Sequence, residues 1–473
     1  MNSNTYFLFL IIVISFCFAG CSTASKSELK SNDETSYWLT TADKKSLLEK
    51  HSIAVEDEAK SEYIIEADTA HLFQSIDGFG CALTGGSAYL INQKLDSLTR
   101  EALLKELFAF DEDNIGISYL RISIGASDLD DEVFTYLDLP AGKTDPDLKG
   151  FSIAEDRKNL IPILKKILQL NPDIKIMGSP WTAPAWMKTN NHPKGGSLKP
   201  EYYSAYAQYF VKYIQAMKEE GINIDAVTLQ NEPENPNNTP SMIMTAEEQI
   251  EFVKMHLAPA FEATGIATKI VVFDHNCDHP EYPITILNDE EAKDYIDGSA
   301  FHLYIGDISA MSKVHEAHPD RNLYFTEQWT SGKGDFAGDL QWHVKNLIIG
   351  ATRNWSRNVL EWNLAADPEF NPHTDDGGCK LCQGAITIGD SVTRNVSYYI
   401  IAHASKFVRP GSVRIASNYI EGLPNVAFRT PEGGTVFIVL NESKVERMFS
   451  MKIHSKVFNS NLSVGAVATY VIP

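Results

Sequence analysis

Two glutamates stand where they could do chemistry. Asn231-Glu232-Pro233 follows the fourth of a series of β-rich runs, and Glu327 closes the seventh. Two carboxylates facing each other across a pocket are what cleavage of a glycosidic bond requires: one protonates the leaving oxygen, and the other attacks the anomeric carbon or activates water. A single strand-end glutamate is as readily an exposed loop residue, but a pair opening onto one face favours the chemical reading. Sugar rings also need aromatic faces and hydrogen bonds, and the strand ends offer Trp181, Trp186, His302, Tyr304, Trp329, Trp362 and Asn363. Core packing competes as an explanation for these aromatics, most strongly for Trp186. Arg121 lies inside an apolar run, where arginine is almost never buried unpaired. Its simplest partner is a carboxylate, which it would hold ionised.

The elements that must position these residues alternate. Strand candidates are Ile76–Leu83, Ile117–Ile124, Lys175–Ser179, Ala226–Gln230, Lys269–Phe273, Ser299–Tyr304, Asn322–Thr326 and Asn358–Trp362. Helical stretches such as Asn159–Leu170 and Tyr202–Glu219, with apolar residues at three- and four-residue spacing, separate them. Eight strands alternating with helices predict an α/β fold of the (β/α)8 TIM-barrel type, whose functional groups sit at the C-terminal strand ends. A doubly wound sheet is the alternative, but Gly85-Gly86 after the first strand lacks the spacing of a phosphate-binding loop. From Ser412 the pattern changes to short alternating runs (SVRIAS, NVAFR, TVFIVLN, FSMKIH, ATYVI) divided by turn residues, an all-β module. The expected layout is 1–20 signal peptide, 21–45 tether, 46–74 N-terminal strands joining a β-sandwich, 75–405 catalytic barrel and 406–473 the C-terminal sandwich. The aromatics of that module (Tyr419, Phe428, Phe437, Phe449, Phe458, Tyr470) alternate as core residues do, which favours packing over carbohydrate binding.

The 473 residues carry 41 Lys+Arg against 62 Asp+Glu, a net charge of −21, with 44% hydrophobic residues. That balance repels nucleic-acid phosphates and anionic lipid and suits a neutral ligand. The apolar run Tyr6–Ala19 is short for a membrane span and right for a signal-peptide core. It leads into Phe18-Ala19-Gly20-Cys21, which resembles a bacterial lipobox, although no Lys or Arg precedes the run and Phe18 stands where an aliphatic residue is usual. Lipidation of Cys21 would tether an exported protein to a membrane, in the periplasm or at the outer membrane or cell surface. Cys379 and Cys382 sit in a Gly-rich loop and admit three readings: half a zinc site, a redox pair or a local disulfide. No second Cys pair or nearby His pair completes a metal site, and an exported compartment favours the disulfide. Cys81 and Cys277 read as buried small hydrophobes.

Six segments in order, Ile76-Asp77-Gly78-Phe79-Gly80, Ser179–Asn190 (SPWTAPAWMKTN), Gly196–Lys199 (GSLK), Leu229–Pro233 (LQNEP), Leu323–Glu327 (LYFTE) and Glu361–Pro368 (EWNLAADP), together resemble glycoside hydrolase family 30. The resemblance runs from about residue 75 to the C-terminus and implies a (β/α)8 barrel beside a β-sandwich. It also implies a retaining double displacement through a covalent glycosyl-enzyme, with no metal and no cofactor. By the same resemblance Glu232 matches the acid/base and Glu327 the nucleophile. Asn231 matches the residue contacting the sugar 2-hydroxyl, and Arg121 an arginine supporting the nucleophile. Trp181, His302, Tyr304 and Trp362 match wall positions, and Trp329 joins them as a strand-end aromatic.

In a retaining site the carboxyls stand ~5–5.5 Å apart. Ionised Glu327 is therefore expected to raise the pKa of Glu232 by repulsion, while Arg121 keeps Glu327 charged. The substrate implied is a β-linked glucoside, foremost β-1,6-glucan or its oligosaccharides. Glucosylceramide, or xylosides on the same frame, are the alternatives within enzymes, and a surface glycan-binding lipoprotein without catalysis is the alternative outside them. Two departures bear on that choice. Gly85 replaces an acidic residue expected after strand one, which would leave room for a further sugar. Leu303 replaces a Trp after the strand-six His, which would remove an aromatic platform. Glu361 and the loop Asp375–Gln383 are expected to tune specificity.

Overall fold

The computed structural model describes Met1, residues 35–111 and residues 113–473. The apolar run Tyr6–Ala19 and Cys21 lie outside the described residues. Among the described residues three strands precede the barrel: β1 (Ser36–Thr40), β2 (Glu49–Ser52) and β3 (Ile64–Ser75). Eight parallel strands then close on themselves: β4 (Gly78–Ala82), β5 (Tyr119–Ser123), β6 (Lys175–Ser179), β7 (Ala226–Thr228), β8 (Lys269–Cys277), β9 (Ile296–Gly306), β10 (Asn322–Glu327) and β12 (Ser356–Asn363), the last pairing with β4. All eight expected runs are strands of this barrel, with ends shifted by a few residues.

Its centre is packed rather than hollow. Tyr119, Met177, Ala226, Val271, Ala300, Tyr324 and Leu360, one from each of seven strands, form an interior cluster, as filled barrels of this size require. Outside, the helix Leu160–Leu170 buries Ile161, Ile163, Leu164 and Ile167, and the helix Tyr203–Glu219 buries Tyr206, Tyr209, Phe210 and Tyr213. Each such side chain contributes roughly 1.5–3 kcal/mol on burial, and together they lock the strands whose far ends carry the site.

Short strands line the barrel mouth: β11 (Thr330–Ser331) pairs with β14 (Cys382–Gln383), and β13 (Ala365–Ala366), β15 (Ile386–Ile388) and β16 (Val392–Arg394) form a small sheet. The C-terminal module contains β17 (Val413–Ser417), β18 (Asn425–Arg429), β19 (Thr435–Leu440), β20 (Arg447–Ile453), β21 (Lys456–Leu462) and β22 (Val467–Ile472). These join the first three strands in the order β2-β1-β22-β19-β18-β17-β3-β20-β21. Phe428, Phe437, Phe449, Phe458 and Tyr470 are fully buried, whereas Tyr419 is exposed.

One boundary and one strand differ from the sequence reading. The tether does not extend to residue 45: Ser36–Thr40 (SYWLT) pairs with β22, Trp38 packs on Phe407 at 4.5 Å between ring centroids, and Thr40 is buried. Five residues are too few for a periodicity to stand out beside the polar stretch before them. β21 was also missed, because its Asn459, Ser460 and Asn461 mask the inward Phe458 and Leu462. The helix Val396–Ser405 joins sheet to barrel through His403, whose ring nitrogens meet Thr469 Oγ1 at 2.9 Å and Thr40 Oγ1 at 2.8 Å. Burial pushes that histidine down to about 3.

Candidate active site

Arg121, the third residue of β5, is fully buried. Its guanidinium donates to Glu327 Oε2 at 2.5 Å, Asn231 Oδ1 at 2.7 Å, Asp274 Oδ2 at 2.8 Å and Ser179 Oγ at 3.1 Å. The expected carboxylate partner is present, and there are two. Because Arg121 only donates, it takes the oxygen of Asn231 and leaves that residue's amide nitrogen to donate elsewhere.

Asp274 is the residue the sequence reading missed. It also accepts from Thr228 and Thr326 hydroxyls at 2.7 Å, and Nε2 of His302 stands 3.1 Å from its other face. Burial opposes its charge, but Arg121 and His302 outweigh burial and hold it well below the usual carboxylate range. A bulge places it. Val271 faces the barrel interior, so simple alternation would put Phe273 there too. Instead Phe273 and Asp274 take left-handed backbone (φ 71° and 67°), the β8–β9 register shifts between Phe273 and His275, and Phe273 joins the outer core. Asp274 turns inward in its place. Glu232 also has left-handed backbone (φ 45°), and its N–H donates to Asp274 O at 3.0 Å. Such conformations cost about 1–3 kcal/mol each and persist where surrounding contacts hold them.

The two glutamates are brought together. His302 Nδ1 lies 3.3 Å from Glu232 Oε1 and 3.9 Å from Glu327 Oε1. Those oxygens are thus at most about 7 Å apart, compatible with the ~5–5.5 Å of retaining pairs and short of most of the ~6.5–9.5 Å inverting range. Glu327 accepts from Arg121 and from the Tyr304 hydroxyl at 2.9 Å. Glu232 accepts at its second oxygen from Asn235 at 2.7 Å.

The proton balance corrects the sequence expectation. Burial raises Glu232, but the adjacent His302 and then His275 bring it below its ordinary value. Burial raises Glu327 and Glu232 adds to that, so it stays above its ordinary value against the pull of His302 and Arg121. The repulsion is expressed on Glu327 because His302 sits against Glu232. Burial alone would lower His302, yet Glu327, Asp274 and Glu232 lift it to about 9. Ionised Asp274 fixes a proton on His302 Nε2. The Nδ1···Oε1 contact then holds one proton, on the imidazole or on Glu232.

A cavity of about 440 Å³ opens over this cluster, with Glu232, Glu327, Tyr304, Trp329 and Trp362 in its lining. Larger clefts at the opposite barrel end and beside Gly85 contain neither glutamate. Trp362 stacks on Trp181 at 5.4 Å, and the Arg121 guanidinium lies 4.8 Å from the Trp181 ring centroid. Trp181 is therefore a buried support beneath Trp362 rather than an open platform, although its indole nitrogen has no hydrogen-bond partner among the described residues. Trp186 is a core residue, donating to Leu137 O at 3.0 Å. Asn363 turns toward the backbone oxygens of Ala365 and Cys382. Cys379 and Cys382 are joined by a disulfide, and both line the cavity with Gly377. A side chain at Gly377 would strike Asn237 O, so the bonded loop packs directly on the segment after Glu232.

Three expectations about specificity change. Gly85 leaves no free room, because the Asp130 carboxylate fills the space where its Cβ would stand. Besides Glu232 and Glu327 the cavity is lined by the carboxyls of Glu234 and of Asp128, the latter from the loop after β5; burial, then Glu327 and Glu232, raise Asp128 to about 8. Leu303 lies between inward His302 and Tyr304 and packs in the outer core, so strand alternation keeps any side chain there out of the cavity. Glu361 likewise faces away, with His343 Nδ1 at 2.8 Å.

A closed barrel with two buried glutamates, one beyond the end of β7 and one closing β10, the second of them held by an arginine, defines a glycoside hydrolase. The chain belongs to glycosyl hydrolase family 30. Residues 76–408 match the Glycosyl hydrolase family 30 TIM-barrel domain and residues 411–470 the Glycosyl hydrolase family 30 beta sandwich domain. It is 34% identical over 429 residues to endo-1,6-beta-D-glucanase neg1 of Aspergillus fumigatus, covering 85% of each chain. To lysosomal acid glucosylceramidase of Mus musculus it is 29% identical over 434 residues, covering 84% of this chain and 81% of that one. The solved endo-beta1,6-glucanase BT3312 superposes with a TM-score of 0.87 at 34% identity, covering 93% of this chain and 99% of that one.

Proposed function

We propose that this protein is a retaining endo-β-1,6-glucanase, with Glu327 as nucleophile and Glu232 as acid/base. The observation that carries the mechanism is the single imidazole nitrogen within 4 Å of both carboxylates; similarity to β-1,6-glucanases carries the substrate. Glu327, which accepts hydrogen bonds from Arg121 and Tyr304, attacks the anomeric carbon as a carboxylate while Glu232 gives the leaving oxygen the proton it shares with His302. The bond from carbon to leaving oxygen breaks and an ester to Glu327 forms. With Glu327 neutral, Glu232 takes a proton from water, which attacks the same carbon and frees Glu327. Asp128 is protonated near neutral pH, so it exchanges hydrogen bonds with a sugar hydroxyl without adding a third negative charge. Asn231 donates to the sugar, and Trp362 and Trp329 supply aromatic faces. A product profile tests the reading: linear β-1,6-glucan should yield a ladder of oligosaccharides, released first as the β-anomer. Faster release of glucose from glucosylceramide, or cleavage of xylan alone, would refute it.

We also propose that Cys21 is the lipidated first residue of an exported enzyme, supported by the apolar run before it and by the disulfide, a bond of oxidising compartments. Mass spectrometry of the N-terminus should find a diacylglyceryl-modified Cys21; an unmodified Met1 would reject this.

A further inference from the structure

We infer that the barrel mouth contains a binding site for a divalent transition-metal ion of the zinc class, formed by Glu232 Oε1, His275 Nδ1 and His302 Nδ1, and that its occupation stops catalysis. The three atoms lie within 4.8 Å of one another on buried residues. His302 Nδ1 is 3.3 Å and His275 Nδ1 3.8 Å from the same glutamate oxygen. Zinc bonds of about 2.0–2.2 Å in a tetrahedral array set ligand atoms roughly 3.4 Å apart. One pair already has that spacing; His275 Nδ1, 3.8 Å from Glu232 Oε1 and within 4.8 Å of His302 Nδ1, has to swing toward both to complete the array.

His275 supplies an independent reason. It is 9% exposed, and its Nδ1 has no hydrogen-bond partner among the described residues. A buried ring nitrogen left unsatisfied is costly, and this one is aimed at Glu232. His302 is prepared from the other side: Asp274 receives its Nε2–H, the carboxylate–histidine arrangement that orients a ligating ring and increases its basicity. Glu232 is steadied by Asn235 at its second oxygen. Two imidazoles and one carboxylate suit zinc, copper or nickel, whereas magnesium and calcium prefer all-oxygen sites. Glu232 and His275 both line the cavity, so a fourth position would be open to water or a substrate hydroxyl.

A bound ion would take the Glu232 oxygen that must deliver the proton. The inhibition, though not the binding, therefore rests on the acid/base reading of Glu232. Crystals of the wild-type protein soaked in zinc chloride, measured on both sides of the zinc absorption edge, should show one anomalous peak within bonding distance of all three atoms. Hydrolysis of β-1,6-glucan should fall with micromolar zinc, return with chelator, and be untouched by magnesium at equal ionic strength. His275→Ala, compared with its own zinc-free rate, should need at least tenfold more zinc for half-inhibition. No peak at this site in millimolar zinc, or equal zinc sensitivity in the variant, would overturn the site. A peak there with undiminished hydrolysis would uphold the site and overturn both the inhibition and the acid/base role of Glu232.

Discussion

Replacing Asp274 with asparagine tests the part of the site that composition and spacing concealed. The carboxylate accepts from Arg121 at 2.8 Å, meets His302 Nε2 at 3.1 Å and accepts two threonine hydroxyls. Removing one member of a buried ion pair costs about 3–5 kcal/mol when the other charge is stranded. Arg121 retains Glu327 and Asn231, so the lower end, about 3 kcal/mol, is the expected loss of unfolding free energy. The kinetic effect should be larger in proportion. An amide no longer fixes the proton on His302 Nε2, so the contact with Glu232 loses its defined proton, and Arg121 loses one of the anchors aiming it at Glu327. Outer-shell losses of this kind reduce activity about 10–100-fold, and an asparagine that permits the wrong tautomer in a catalytic triad about 10⁴-fold. A fall in kcat between those limits is expected, with KM changed little because Asp274 does not line the cavity. Denaturant unfolding and steady-state hydrolysis of β-1,6-glucan give both numbers. A folded variant with kcat within about threefold of wild type would refute the idea that Asp274 organises this site.

The remaining predictions concern the sheet and the cavity wall. His403 is neutral in the fold at about 3 but protonates near its ordinary value once unfolded. The stability it contributes is therefore present above about pH 6.5 and lost as pH falls from there toward 3, by about 1.4 kcal/mol per pH unit. His403→Gln should be less stable than wild type at pH 7 yet lose less on acidification to pH 4; parallel pH–stability curves would contradict this. Converting both Cys379 and Cys382 to serine frees the loop lining the cavity beside Asp128. We expect KM to rise several-fold with kcat nearly kept, and a stability loss of up to about 2 kcal/mol for so short a closed loop; an unchanged KM would show that the loop does not shape the substrate site.

Much of the fold was legible because barrel strands are buried on both faces and read as compact apolar runs, while the helices between them repeat at 3.6 residues. Glu232 and Glu327 were legible for a related reason: each directly follows such a run, and strand ends form the mouth. Asp274 was not. KIVVFDHNC reads as a strand stopping at Phe273, and only the bulge, a tertiary feature with no local signature beyond an acid after an aromatic, turns the aspartate inward. The same alternation shows why Leu303 and Glu361 were misjudged, since one-residue steps along β9 and β12 move a side chain from cavity to outer core. Gly85 misled because an absent side chain reads as space, whereas Asp130, distant in sequence, occupies it. The proton balance needed three dimensions as well, for nothing in the spacing of Glu232 and Glu327 reveals that His302 stands against the former.

Everything in the proposed reaction turns on Glu327 forming the covalent bond to the sugar. Incubating the enzyme with a 2-deoxy-2-fluoro-β-glucoside carrying a good leaving group, then digesting it and mapping the modified peptide by mass spectrometry, tests this directly. One fluoroglucosyl ester on Glu327, formed in wild type and absent in Glu327→Gln, is the expected result. A label on Glu232 or Asp128, or inactivation with no covalent adduct, would contradict it.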